Sequence, residues 1–271
     1  MKRIGIIGTG NLGTHLISLL CRNNFRDVVT VSDLDYIKAE TIANMNNLKV
    51  AKTNLDNIYI SDIIFLTVKP NNMREVCNEI KSVTDSTFLQ NKIIVSAAAG
   101  VTTEKINEWT GRKHNIIRCM PNIPISSGNG SIIWYGVPNV NLSVNQKILG
   151  TLTSGPQSFW ICEEHMINAA TVISGCIPAY IAEFYQTYKE LGLEMGFDSD
   201  ITKRMLLNAL YGTARLLEDM EPDELIIQVA SKGGATERGL EMMRNGGFGF
   251  SIKESSFASL DRISNITKSL D

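Results

Sequence analysis

Short apolar runs alternate with amphipathic stretches through the first 160 or so residues. Ile4–Ile7, Val28–Val31, Ile63–Val68, Ile93–Val95 and Ile116–Cys119 predict strands, and the stretches 11–22, 36–45, 71–82 and 102–109 between them predict helices. That βαβα order predicts a parallel sheet covered by helices on both faces. The unbroken apolar run Ile63-Ile64-Phe65-Leu66 suits a strand buried on both sides. After residue 162 the pattern changes. Helices are predicted over 164–174, 178–195, 200–218, 222–228, 234–245 and from about 250 to 268, with no convincing strand among them. Ile181, Phe184, Tyr188 and Leu191 recur at helical spacing, so that helix carries an apolar face. The chain therefore divides into an α/β domain over 1–162 and an all-helical domain over 163–271. Several of the later helices are apolar on more than one side. Such helices bury surface against a second chain, as obligate dimers do.

Composition narrows the partners. The 26 Lys and Arg against 28 Asp and Glu leave a net charge of −2, which excludes the broad basic field of a nucleic-acid binder. No run of about 18 apolar residues is evident, so no membrane partner is expected. Met1-Lys2-Arg3 leads straight into a strand-and-glycine pattern, and no secretory signal is read there. The five cysteines, Cys21, Cys77, Cys119, Cys162 and Cys176, form no C-x-x-C pair and suit reduced thiols in the cytoplasm. His15, His114 and His165 are not spaced as metal ligands, so metal-free chemistry is expected.

Gly8-Thr9-Gly10-Asn11-Leu12-Gly13 follows the first strand and opens the first helix, which is the G-x-G-x-x-G dinucleotide fingerprint in its required context. Gly8 permits the turn, Gly10 lets the backbone approach a pyrophosphate, and Gly13 lets helix and strand pack closely. The helix N-terminus supplies free N–H groups to the phosphates. Ser32-Asp33 ends the second strand, and Asp33 stands 20 residues after Gly13, where an acid can bond the ribose of NAD or simply cap a helix. No Arg lies between Arg26 and Arg74 to receive the extra phosphate of NADP, and Lys38 is the nearest cation, so NAD and NADP both stay open. Thr67-Val68-Lys69-Pro70 and Ser96-Ala97-Ala98-Ala99-Gly100 follow strands where ligands bind in open α/β sheets, or serve only as turns. Arg118-Cys119-Met120-Pro121-Asn122 ends a strand in the same way, with Asn122 a candidate cap. In the helical half, Ser231-Lys232-Gly233-Gly234-Ala235-Thr236 reads either as an anion nest for a small carboxylate or as a capped interhelical turn.

Taken in order, these stretches resemble the pyrroline-5-carboxylate reductases from end to end. Ile4–Gly13 is similar to that family's opening strand and loop, and Ser61–Pro70 to its A-D-x-x-x-x-A-V-K-P segment. Ser96–Thr102, Arg118–Pro124, Ser174–Tyr180 and Ser231–Thr236 are similar to its S-x-A-A-G-V-T, R-x-M-P-N-x-P, S-G-S-G-P-A-Y and S-P-G-G-[AT]-T motifs. The resemblance implies a Rossmann domain followed by a helical dimerisation domain, a homodimer often assembled further, and reduction of pyrroline-5-carboxylate to proline by NADPH or NADH. It implies that Ser231, Gly233, Gly234, Ala235 and Thr236 hold the substrate carboxylate, with Thr236 as the catalytic hydroxyl at the ring nitrogen. It also implies that Glu164 lies near the product amine and Asn54 at the cofactor ribose. Three departures stand out: Lys232 for proline, Cys176-Ile177 for Ser-Gly, and Phe248-Gly249-Phe250 where Phe-Arg is usual. They keep two alternatives in view, an oxidoreductase acting on another imine or carbonyl acid and a regulatory paralogue that binds NAD(P) without turnover.

Overall fold

The structure is a computed structural model describing residues 2–83, 89, 92–111, 115–137 and 142–270. His114 lies outside the described residues. Contacts gather the chain into two compact units, one running from the N-terminus to Pro178 together with the stretch from Ser259 onward, the other Ala179–Ala258.

The first unit is an eight-stranded sheet of order β3-β2-β1-β4-β5-β6-β7-β8. Its strands are β1 (Ile4–Ile7), β2 (Val29–Ser32), β3 (Lys49–Val50), β4 (Ile63–Leu66), β5 (Ile93–Ser96), β6 (Ile116–Pro121), β7 (Ser131–Gly136) and β8 (Gln157–Trp160). Six neighbouring pairs are parallel and β6–β7 is antiparallel, so the expected Rossmann-type parallel sheet ends in two strands, β7 and β8, that run opposite to the other six. The reversal is short: a 3-10 turn at Ile123–Ser127 and Gly128 at φ +86° turn the chain back. Asn122 does not cap that turn. Its Oδ1 accepts from the Ser131 amide at 2.9 Å and pins the start of β7.

The helices of this unit begin with α1 (Asn11–Arg22), α2 (Tyr36–Asn46), α3 (Asn54–Ile60), α4 (Pro70–Ser82), α5 (Thr103–Thr110) and α6 (Leu142–Leu152). Leu16, Leu20, Phe65 and Val95 pack on one face of the sheet, and Leu66, Met73, Ile94 and Trp109 on the other, all buried. Each such side chain removed from water contributes about 1.5–3 kcal/mol. Because both faces are covered, the strands read as continuous apolar runs.

The remaining helices are α7 (Met166–Glu194), α8 (Ser199–Leu216), α9 (Pro222–Val229), α10 (Ala235–Asn245) and α11 (Phe248–Ser269). The two helices expected over 164–174 and 178–195 are one, α7, with a π-helical stretch at Thr171–Cys176. Pro178 follows that stretch. It has no amide to donate backward, and the wider turn before it absorbs the missing bond without ending the helix. No strand occurs among the described residues after Trp160. α8 starts at Asp198, whose Oδ1 accepts from the Ile201 amide at 2.9 Å.

Candidate functional site

The glycine loop joins β1 to α1 at the carboxyl edge of the sheet. Gly8 has φ +103°, and a Cβ there would meet the Thr67 carbonyl carbon and the Val68 amide at 2.9 Å. A Cβ on Gly13 would stand 2.1 Å from the Gly8 oxygen, so only glycine fits. Around Gly10 nothing lies within 4 Å of where a Cβ would be. That open side is where a pyrophosphate would approach. Gly10 is also the N-cap of α1 and has no side chain to satisfy the first amides, which are left for an anion. These residues fit a dinucleotide.

Thr67 supports the loop from β4, its hydroxyl donating to the oxygens of Ile7 at 3.1 Å and Gly8 at 2.6 Å. Lys69 precedes α4 and Pro70 occupies its first turn, where a missing amide costs nothing. Ala97 donates its amide to Leu66 at 3.0 Å, and the small side chains of Ala97–Ala99 follow β5 at the same edge. Gly100 (φ +75°) is covered by the end of α11, where Thr267 Oγ1 donates to the Gly100 oxygen at 2.8 Å.

Asp33 is neither free nor a helix cap. Its Oδ2 accepts from the Thr9 amide at 2.6 Å and the Thr9 hydroxyl at 2.9 Å, tying β2 to the glycine loop. Burial pushes its carboxyl up, but the Thr9 donors, the Asp35 amide and Lys38 outweigh it and leave the pKa lowered. Capping falls to Asp35, whose Oδ1 accepts from the Lys38 amide at 3.1 Å. Asn54 sits under the same edge, its Oδ1 accepting from Ser32 Oγ at 2.9 Å while its side chain also bonds Glu79. Below it the buried Asn57 joins Ser32, Ser61 and the oxygens of Ile6 and Thr30. Sequence reading passed over Asn57 because its partners are strands far away in the chain.

Glu164 gathers a second cluster. Its Oε1 accepts from the Thr103 amide at 2.7 Å and Arg118 Nη1 at 3.0 Å, and its Oε2 from the Thr103 hydroxyl at 2.8 Å. The Arg118 side chain is 2% exposed. Burial lowers its pKa while Glu164 holds the charge in place. Its Nη2 is buried without a hydrogen-bond partner.

Ser231, Gly233, Gly234, Ala235 and Thr236 belong to the second unit, where Gly233 (φ +75°) and Gly234 lead into α10. Here the Gly233 amide donates to Glu237 Oε2 at 2.7 Å, so a carboxylate of the chain itself rests on the loop. An open cavity of about 620 Å³ beside it is lined by Gly233, Gly234, Glu237, Arg238, Glu241 and Arg244. Thr236 is exposed in the first turn of α10. No cluster of three His, Cys, Asp or Glu suited to a metal occurs among the described residues.

Comparison with known proteins bears on both units. Residues 164–266 match the family described as pyrroline-5-carboxylate reductase dimerisation, and residues 3–100 match NADP oxidoreductase coenzyme F420-dependent. The chain is 27% identical to the pyrroline-5-carboxylate reductase of Pseudomonas aeruginosa over 99% of its own length and 98% of that protein's. The likeness to pyrroline-5-carboxylate reductases thus runs almost the whole length of the chain. The pyrroline-5-carboxylate reductase of Aquifex aeolicus is 28% identical, covering 93% of this chain and 92% of the other. Pyrroline carboxylate reductase of Plasmodium falciparum, solved with NADP bound, has the same fold: TM-score 0.86 at 24% identity over 98% of each chain. The dimerisation match also takes in α7. That helix is long and apolar enough to cross a membrane by length and composition, contrary to the expectation that no such run exists, and it lies wholly within the matched stretch.

Proposed function

We propose that the protein reduces 1-pyrroline-5-carboxylate to L-proline with a hydride from NADH or NADPH. The end-to-end similarity to pyrroline-5-carboxylate reductases carries this reading, and the glycine loop supports it with a cradle only a close-approaching ligand needs. We assign the cofactor to the domain of residues 1–162, and dimerisation and substrate binding to 163–271. The active form is a homodimer, and five free thiols suit the cytoplasm.

The cofactor, when bound, would supply a hydride to the carbon of the protonated imine, whose nitrogen already carries the proton that the amine needs. The chain's residues bind and orient. Gly8, Thr9, Gly10, Asn11, Leu12 and Gly13 would hold the pyrophosphate. Ser32, Asp33 and Asn54 stand at the ribose side, and Thr67–Pro70 with Ala97–Ala99 border the rest. In the helical domain Ser231, Gly233, Gly234 and Ala235 would take the substrate carboxylate, and Thr236 would hydrogen-bond the ring nitrogen. Glu164 Oε2 accepts one described bond and retains capacity for the product's ammonium.

Steady-state rates with pyrroline-5-carboxylate and each nucleotide test the activity; no turnover with either defeats it. Thr236→Ala should lower kcat on the order of tenfold to a thousandfold with little change in melting temperature, because a bond that strengthens in the transition state acts on rate. Ser231→Ala should chiefly raise KM. Lys232 favours a second reading, a different imine or carbonyl acid. If Lys232→Pro abolishes turnover of pyrroline-5-carboxylate, Lys232 is a substrate ligand; retained or raised activity removes that alternative.

A further inference from the structure

At the carboxyl ends of β1, β2 and β4 a narrow cavity of about 40 Å³ is lined by Ile7, Asp33, Asn54, Val68, Glu75 and Glu79, among others. In an open α/β sheet this edge receives the adenosine ribose of a dinucleotide. Three of the lining side chains are carboxylates and none is a lysine or arginine. We infer that this acidic wall selects NADH over NADPH. The inference rests on the dinucleotide reading given above and adds which nucleotide the site takes.

The two candidates differ by a 2′-phosphate carrying a charge of about −1.5 to −2 at neutral pH. Asp33 is held in place by both Thr9 donors, so it cannot easily swing away from the ribose. Its Oδ1 accepts only a long 3.2 Å bond from the Asp35 amide and keeps capacity for a ribose hydroxyl. Lys38 Nζ stands 3.9 Å from Asp33 Oδ2, and that carboxylate already balances it. Across the cavity Glu75 and Glu79 come from α4, and Asn54 bonds Glu79. Glu79 Oε2 is buried with no hydrogen-bond partner, and its carboxyl is pushed up by burial and by Glu75 beside it, against the bond from Asn54. A ribose hydroxyl can donate into this surround. A phosphate ester offers it only further acceptors and negative charge, within the roughly 8 Å over which charges interact at physiological salt.

The test reads binding, not turnover. Nicotinamide fluorescence titrations of the full chain with NADH and NADPH should give a Kd for NADH lower by about tenfold or more. The gap should narrow in 0.5 M salt, where the Debye length shrinks to a few ångströms. Glu75→Gln with Glu79→Gln keeps side-chain shape and should raise NADPH affinity more than NADH affinity. Equal affinities, tighter NADPH, or an unchanged ratio in the double variant overturn the inference. If neither nucleotide binds, the dinucleotide reading falls and takes the inference with it. Since no imine acid is present, inactivity toward pyrroline-5-carboxylate leaves the selectivity result intact.

Discussion

Gly10 and Gly13 sit in one loop for opposite reasons. At Gly10 the space is open, so Gly10→Val should leave the melting temperature almost unchanged and abolish nucleotide binding in a calorimetric titration. At Gly13 a methyl group would overlap the Gly8 oxygen, so even Gly13→Ala should lower both stability and binding. Equal melting temperatures for the two variants would contradict this. Lys92 shows a different constraint. It is 4% exposed, donates to the Ser61 oxygen, and burial lowers its pKa to about 8, with Arg3 and Lys2 adding to the shift and Asp62 opposing it. From about pH 8 to 10.5 the unfolded chain therefore binds more protons there than the folded one, and raising pH favours folding. The Cys77 and Cys119 thiols, pushed up to about 12 by burial, act in the reverse sense above their ordinary value of 9. Between pH 8 and 9 stability should therefore rise in the wild type relative to Lys92→Met, as read by urea denaturation. Parallel profiles would exclude Lys92 as the source.

Elements were legible where one physical signal dominated. β1, β4, β5 and β6 are near-continuous apolar runs because both faces are covered, and α1 and α4 carry a clear apolar stripe. α3 has only seven residues, too few for periodicity; its sole signal is the Thr53–Asp56 capping box. β3 has two residues, and β8 is largely exposed, so neither has an apolar pattern to read. Of the candidate site, the glycine loop was legible because backbone geometry dictates its residues. The partners of Asp33 and Glu164 were not, because they join elements distant in sequence. The Glu164 cluster ties the N-terminus of α5 and the strand β6 to the residues just before α7. Glu164→Ala leaves the buried Arg118 guanidinium unpaired and should cost about 3–5 kcal/mol in chemical denaturation. A loss below 1 kcal/mol would mean that water reaches Arg118.

At the scale of the whole molecule the two units differ in where their apolar side chains go. In the first they fill two layers around the sheet. In the second, α8 contributes one buried residue, Thr202, and α9 and α10 none. Phe184, Tyr188, Leu206, Leu210 and Leu217 line an apolar groove there instead. A lone chain thus leaves these helices with little to offset the roughly 1–2 kcal/mol of backbone entropy lost per ordered residue. Their cohesion becomes a matter of mass action, since whatever binds only the folded form adds stability that grows with its concentration. Thermal unfolding should therefore shift downward on dilution from micromolar to nanomolar protein, first in signals from the helices. A melting temperature independent of concentration would show that the helical half stands alone. With the downward shift, the abundance of the protein sets its own folded fraction, and scarcity alone silences the helical half before any residue of the nucleotide cleft has changed.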